Sequence, residues 1–446
     1  MNIEIVDKVT DIVFKKASQL KVDDISVISG YGKESMLRFS NNSITIVDTL
    51  DEVVVFLYLA KERRRAIGTT SSLQEGDLNR FVNQLFSSMK YIEESEEYTP
   101  LPKGPFKYES FNSYDARIEG LSGELVDYCD TAINTALREG AVRVSGALTS
   151  DVAAYKIKTS AGVESIDRSS SITINVRAFS ETNSSGHGLS CAASTSKFNP
   201  EEAGATAGRL AKESKRVGYW EEGIYDLIVG PTVAADLMQM VASSASAFRV
   251  DTGTSFLKDC LGKKVASEQL MLQDFGTIEG GFDGRAFDDE GVPTKRTNII
   301  ENGVLLTYLH NISTAKRYGT TTTGNAGIIS PHPWNVVVNE GSMSLDEMIS
   351  ESKKAVYVTN NWYTRYQSYV TGEYSTLPRD ATFIIDSGSI KYAITGTRIS
   401  DNIPRQLLNI SGMGNERKWV KWWEVETPVY TPPILIKNVN ITKAQF

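Results

Sequence analysis

The sequence predicts an α+β protein: two small modules of helices and antiparallel strands, then a large β-rich C-terminal domain with repeated hairpins. Three observations carry this reading. Amphipathic helical spacing opens each of the first two modules, β-rich runs follow it, and two later segments share one hairpin pattern. The 446 residues correspond to about three domains at the usual length per domain.

The first module spans 1–97. Ile3, Ile5, Val6, Val9, Ile12, Val13, Phe14 and Ala17 recur at helical spacing. The short runs ISVISGY, SMLRFSN, SITIVDT, EVVVFLYLA and RRAIGTT follow, separated by polar turns, and a second amphipathic helix is expected near 75–90. Residues 98–114 carry Pro100, Pro102 and Pro105 and read as a linker. The second module, 115–220, begins with a helix near 117–139 closed by Gly140. Strands around VRVSGALTS, AAYKIKTSAG, VESIDRSS and SITINVRAFSE come next, then a helix near 200–216.

In the C-terminal domain, 221–446, IYDLIVGP reads as a strand running into a helix near 232–247, with Pro231 at its start. NIIENGVLLTYL (298–309) and FIIDSGSIKYAI (383–394) share an apolar-Ile-Ile-acid-polar-Gly pattern. Asn302-Gly303 and Ser387-Gly388 supply the positive-φ turn positions of two β-hairpins. Their repetition predicts a two-fold-like antiparallel sheet.

Composition narrows the function. Lys+Arg is 47 and Asp+Glu 55, a net charge of −8, which lacks the basic footprint of a nucleic-acid binder. No run approaches the ~18 apolar residues of a membrane span. The amino end has no basic region followed by an apolar block, so no secretory signal is expected. Cys129, Cys191 and Cys260 are odd in number and widely spaced, which fits a cytoplasmic location.

Several motifs imitate sites. Asp251-Thr252-Gly253-Thr254 and Asp386-Ser387-Gly388-Ser389 have the form of aspartic-protease loops, which need two carboxylates sharing a proton. They read instead as a helix-end turn and a hairpin turn. Gly319–Gly324 begins like a phosphate loop, but Asn325 and Ala326 stand where Lys and Ser/Thr are required. Asp283, Asp288, Asp289 and Glu290 read as solvated carboxylates flanking a hairpin. His187 reads as a surface or turn histidine, His332 as part of a rigid Pro-flanked loop, and His310 as the end of the first hairpin. H-E-x-x-H and G-x-S-x-G are both absent.

SFLKDCLGKKVASEQLMLQD and FDDEGVPTKRTNIIENGVLLTYLHNISTAKRYGTTTTGNAG, within 255–327, resemble the third domain of the TldD/PmbA family. TGEYS (371–375) and FIIDSGSIKYAI reinforce the resemblance. The family is classed among metallopeptidases and was historically called modulators of DNA gyrase. Its TldD kind carries H-E-x-x-x-H in the helix after a strand ending in Gly-Pro, with a further zinc ligand from a C-terminal cysteine. Here that helix reads TVAADLMQMVASSASAF, without His or Glu, and Cys260 is the last cysteine.

The resemblance is therefore to the TldE (PmbA) kind. It implies no catalytic residue, metal ligand or cofactor in this chain, with zinc held by a TldD-like partner. It further implies a non-catalytic subunit of a cytosolic zinc metallopeptidase acting on peptides or unfolded segments. This chain would form part of the chamber and peptide groove, with Thr321, Thr322, Thr323, Gly324 and Asn325 as the candidate substrate-binding residues. Expected partners are the zinc-bearing subunit and peptide, with no nucleic acid and no membrane, and a homodimer when isolated. The alternative is a stand-alone protein-binding module of the gyrase-modulator type, with no peptidase context.

Overall fold

The computed structural model describes residues 3–182 and 184–444. It opens with α1 (Ile3–Ala17), β1 (Asp24–Ser40), β2 (Ser43–Lys61), β3 (Arg64–Thr70) and α2 (Glu75–Ser88). After an extended connection come α3 (Ala116–Glu119), α4 (Gly123–Arg138), β4 (Arg143–Thr159), β5 (Glu164–Phe179), β6 (Ser185–Ala192) and α5 (Pro200–Glu213).

The short runs expected from the sequence fuse in pairs. ISVISGY and SMLRFSN are parts of β1, and SITIVDT and EVVVFLYLA are parts of β2. The polar residues between them pair across the ladder, Lys33 opposite Asp51 and Gly32 opposite Glu52, instead of turning. Strand β1 has neighbours on both sides, so a turn there would orphan backbone groups along two edges. The strands of both modules form a single antiparallel sheet, in the order β3-β2-β1-β4-β5-β6. Its central seam sets Ser26 opposite Thr159 and Phe39 opposite Gly146.

Side chains alternate across this sheet. One face carries Val27, Val55, Leu57 and Leu59 against α1 and α2, and Leu148, Ile172, Ile174 and Val176 against α4 and α5. Helix α5 starts where Asn199 accepts the Glu202 N–H at 3.0 Å, with Pro200 in the first turn. Close approach on this face depends on glycines, Gly186 and Gly188 in β6 and Gly204 and Gly208 in α5. A Cβ at Gly188 of β6 would lie 1.9 Å from Ala203 O, and one at Gly204 of α5 would lie 2.2 Å from Ala132 O. The glycines around His187 therefore mark helix-to-strand packing within β6.

The 98–114 segment is a pinned strap. Tyr108 donates its hydroxyl to Gly291 O at 2.8 Å and sets its ring 5.6 Å from Phe287. Phe106 and Phe111 join the same cluster.

The C-terminal domain runs through β7 (Gly223–Val229), α6 (Pro231–Ser244), α7 (Ala247–Asp251), β8 (Leu272–Phe275), β9 (Arg296–Glu301) and β10 (Val304–Leu305). It continues with α8 (Ile312–Arg317), β11 (Val336–Val338), α9 (Leu345–Ser350), β12 (Lys354–Val358), β13 (Asn361–Ser368), β14 (Glu373–Pro378), β15 (Thr382–Asp386) and β16 (Ser389–Ile394). Then come β17 (Thr397–Asn402), α10 (Ile403–Leu408), β18 (Ile410–Met413), β19 (Lys418–Trp422), β20 (Val425–Thr431) and β21 (Ile434–Lys443).

The two expected hairpins exist with left-handed turn residues, φ being 49° and 76° at Asn302-Gly303 and 52° and 75° at Ser387-Gly388. They do not build one symmetric sheet. β9–β10 belongs to the sheet β10-β9-β8-β11-β20-β19, and β15–β16 to the sheet β13-β14-β17-β21-β7-β12-β15-β16, where β18 also pairs with β21. Each sheet contains a parallel pair, β11 with β20 and β7 with β12. A turn motif sets only its own two strands, while long connections choose the sheet each hairpin joins. Helix α6 touches strands of both sheets. It is buried nearly all round through Val233, Ala234, Leu237, Met238 and Val241.

Candidate functional site

The bare face of the N-terminal sheet roofs a cleft of about 770 Å³ over the C-terminal domain. Pleat alternation puts Glu34, Glu52, Asp151, Tyr155 and Ser171 on the roof, and Asp283, Arg285, Trp334, Lys421 and Trp422 form the facing wall. A second cavity, of about 420 Å³, lies under β1–β3 between Ser26, Tyr58, Glu290 and Ile329. Beside it Ile28, Ile157 and Val163 pack on Phe287 and hold the sheet to the lower domain.

The cleft gathers charged side chains of both signs. Burial, together with the neighbouring Glu34, pushes the Asp151 carboxyl up to about 6, against the pull of Lys421. Ser171 donates to Asp151 at 3.3 Å. Burial pulls the Lys421 ammonium below its usual range, although Asp151, Cys191 and Glu34 oppose this. Lys421 pairs with Asp283. Arg285 pairs with Asp289 at 2.9 Å and lies over the rings of Tyr155 (4.8 Å) and Trp334 (4.9 Å).

The acidic run 283–290 departs from the solvated role expected of it. Asp288 is fully buried, accepting Glu290 N, Val292 N and Ala326 N at 2.9–3.0 Å. Glu290 accepts the Ile312 N–H at the start of α8 at 2.9 Å. Burial raises both carboxyls, and Glu290 is raised further by the charge of Asp288. A loop that stitches three segments together needs acceptors for their N–H groups, and these carboxyls supply them.

Of the candidate substrate residues, Thr321 is exposed and Thr322 half-buried, while Thr323, Gly324 and Asn325 are buried. Asn325 donates to Asp274 Oδ2 at 2.5 Å and to His332 O at 3.0 Å. Thr323 Oγ1 accepts the His310 N–H at 2.7 Å. None of the five is among the cleft's lining residues. The residues that do line it, Glu34, Asp151 and Lys421 above all, are not singled out by any sequence motif. The available signal is alternation on two strands, Thr149 and Asp151 with Leu148 and Val152 on β4, and Ser171 and Thr173 with Ile172 and Ile174 on β5; β1 lacks it, since Lys33, Glu34 and Ser35 are consecutive.

His187 is not a surface histidine. It is 7% exposed within β6, its ring lies 4.9 Å from that of Trp422, and burial pushes its pKa down to about 4. Its flanking glycines, which suggest a turn, are strand positions where α5 packs close. His310 is buried beside Thr314 Oγ1 at 3.1 Å and is likewise pushed down to about 4 by burial. His332 packs on Trp334 at 4.5 Å. The two protease-like loops are turns with separate partners. Asp251 ends α7 and binds Arg317 and Tyr318, while Asp386 takes the Ser387 hydroxyl at the hairpin.

Helix α6, after Gly230-Pro231, carries one acid, Asp236. Its carboxylate accepts Asn361 Nδ2 at 2.7 Å, Gln239 Nε2 at 3.2 Å and the Thr364 hydroxyl. Burial pushes this carboxyl up to about 6, with those donors pulling the other way. Among the described residues no three His, Cys, Asp or Glu side chains converge as metal ligands would.

These features define a mixed α/β protein in which an antiparallel sheet overhangs a two-sheet domain, with a polar cleft between them. Residues 222–443 match the family described as the PmbA/TldA metallopeptidase C-terminal domain, and the chain belongs to the PmbA/TldD family. A metalloprotease of Methanocaldococcus jannaschii is 36% identical over 143 residues, 31% of this chain and 32% of that protein. The chain thus matches about a third of that relative's length.

Two solved structures share the fold. TldE from Thermococcus kodakarensis has a TM-score of 0.87 at 20% identity, covering 98% of this chain and all of that one. A Thermotoga maritima protein described as a candidate modulator of a DNA gyrase has a TM-score of 0.86 at 24% identity, with the same coverage. The metal implied by the family's name does not fit α6: its single carboxylate is already saturated by three donors, and no three His, Cys, Asp or Glu side chains converge there among the described residues.

Proposed function

We propose that this chain is the non-catalytic, TldE-like subunit of a cytoplasmic TldD–TldE zinc metallopeptidase acting on peptides or unfolded segments. The observation that carries this reading is α6. Where hydrolysis needs ligands, an open position and a base, this helix offers Asp236 locked into a hydrogen-bonded cluster with Asn361, Thr364 and Gln239. The chain's part is structural: it walls a chamber and holds peptide, while zinc and the water-activating glutamate come from the partner. The exposed Thr321 and half-buried Thr322 remain the accessible members of the expected peptide loop.

The test is co-expression with a subunit bearing H-E-x-x-x-H, followed by zinc quantification and a peptidase assay of each chain and of the mixture. The expected result is a stable complex with zinc in the partner and peptidase activity only in the complex. Alone, the chain is expected to form a two-fold homodimer by light scattering. Failure to bind the partner would favour the stand-alone binding module.

A further inference from the structure

The sheet that roofs the cleft is open along one side. Strand β3 pairs with β2 only over Val55–Lys61, so residues 43–54 of β2 have β1 on one side and no strand on the other among the described residues. Ile46, Val47 and Leu50 on this stretch are 46%, 65% and 57% exposed. Native sheets usually shield such an edge with lysine, proline or a covering segment. The stretch SITIVDTLDEVV has neither lysine nor proline.

The same edge borders the cleft, since Leu50 and Glu52 line it. Four carboxylates there, Glu34, Glu52, Asp151 and Glu426, have no ion pair among the described residues. The cations nearby are committed, Lys421 to Asp283 and Arg285 to Asp289, leaving Lys33. Asp151 is the least exposed of the four and accepts from the Ser171 hydroxyl, whereas Asp380 is paired with Arg177 at 2.7 Å and Asp274 accepts from Asn325 and the Trp334 and Asn335 N–H groups. On the cleft floor the Trp422 indole N–H has no acceptor among the described residues.

We propose that the free edge of β2 takes an extended peptide as an added strand, and that a lysine or arginine side chain of this peptide enters the acidic cleft. Strands lie about 4.8 Å apart, so a basic side chain from a strand beside β2 reaches Glu52. It continues toward Glu34 over Gly32, which faces Glu52 across the ladder and leaves that position bare. Asp151, opposite Glu34 on β4, adds its field one strand further in. The backbone ladder gives affinity without sequence, and the carboxylates select the basic side chain. This names the substrate class of the proposed subunit, and rests on that reading only for the ligand being a peptide.

The test is fluorescence anisotropy on the purified chain with labelled extended peptides differing at one residue, Lys against Glu. The Lys peptide should bind at least about tenfold more tightly at low salt, and the gap should close as salt screens it. In an E34Q/E52Q double variant, both positions being exposed, the gap should shrink to about twofold or less, with the circular dichroism spectrum unchanged. N-methylation of alternate peptide amides should abolish binding in one register and spare the other. Equal binding of the two peptides, or indifference to N-methylation, overturns the proposal. If a zinc-bearing partner still binds in that case, the subunit reading stands without this inference. A lysine preference with no partner complex supports this inference and overturns the subunit reading.

Discussion

Asn361 Nδ2 donates to the Asp236 carboxylate at 2.7 Å, tying α6 to β13 between residues 125 positions apart. The bond lies inside the domain core, where the carboxylate's charge is costly. Burial pushes Asp236 from 3.8 to about 6, so between those values the folded state holds more protons than the unfolded one. The associated stability is complete below about pH 4 and is lost as pH rises through 6. Relative to Asp236→Asn, the natural chain should lose about 2–3 kcal/mol between pH 4 and 7. Urea midpoints across that range would show it; parallel curves would refute it. Asp236→Ala, which removes one acceptor from each of Asn361 and Thr364 and leaves them Thr376, should cost about 1–2 kcal/mol at low pH as well.

The His187 imidazole runs in the opposite direction. Burial lowers it from 6.5 to about 4, so the unfolded chain takes up a proton first as pH falls. Stability is complete above about 6.5 and drains away toward pH 4. His187→Phe keeps the packing on Trp422 and removes the titration. The variant should match the parent at pH 8 and exceed it by about 2 kcal/mol near pH 5. An imidazole shift moving at pH 6–7 in an NMR titration would contradict this.

Helix α5 lies on α4 through Gly204, where an added Cβ would meet Ala132 O at 2.2 Å. Gly204→Val should cost about 3 kcal/mol, seen as a lower thermal midpoint. Gly123, at the start of α4, has open space for 4 Å around the position a Cβ would take. Gly123→Ala should therefore stay within about 0.5 kcal/mol of the parent.

Tyr108 fastens the strap to the C-terminal domain through Gly291 O and Phe287. Tyr108→Phe removes one hydrogen bond and should cost about 1 kcal/mol. Tyr108→Ala also removes the ring and should cost about 3 kcal/mol. Limited proteolysis should then cut within 98–114 faster in the alanine variant than in the phenylalanine one.

Legibility follows range. Helices α1, α2 and α5 stand close to where their periodicity predicts, because an amphipathic stripe is written within a few turns of chain. The helix expected over 117–139 is divided, α3 ending before Gly120 and α4 beginning after Ser122. Asn302-Gly303 and Ser387-Gly388 adopt the positive φ values that their residue types favour. The strand break expected near Lys33-Glu34 does not exist, because polar residues look alike in a turn and on the open face of a ladder.

The sequence by itself determined the α+β class, the local helices and hairpins, and the lack of His and Glu in the helix after Gly230-Pro231. The tertiary structure alone decided that two helical modules share one sheet, because the β1–β4 seam joins Phe39 to Gly146 with no local sign of the pairing. It likewise decided which acids are buried. Asp288 is enclosed by backbone donors from Ala326 and Val292, whereas Glu34 and Asp151 sit side by side on the β1–β4 ladder, on the sheet face that roofs the cleft. Burial and charge pairing depend on neighbours brought together by long-range ladders, and that information lies in no single segment.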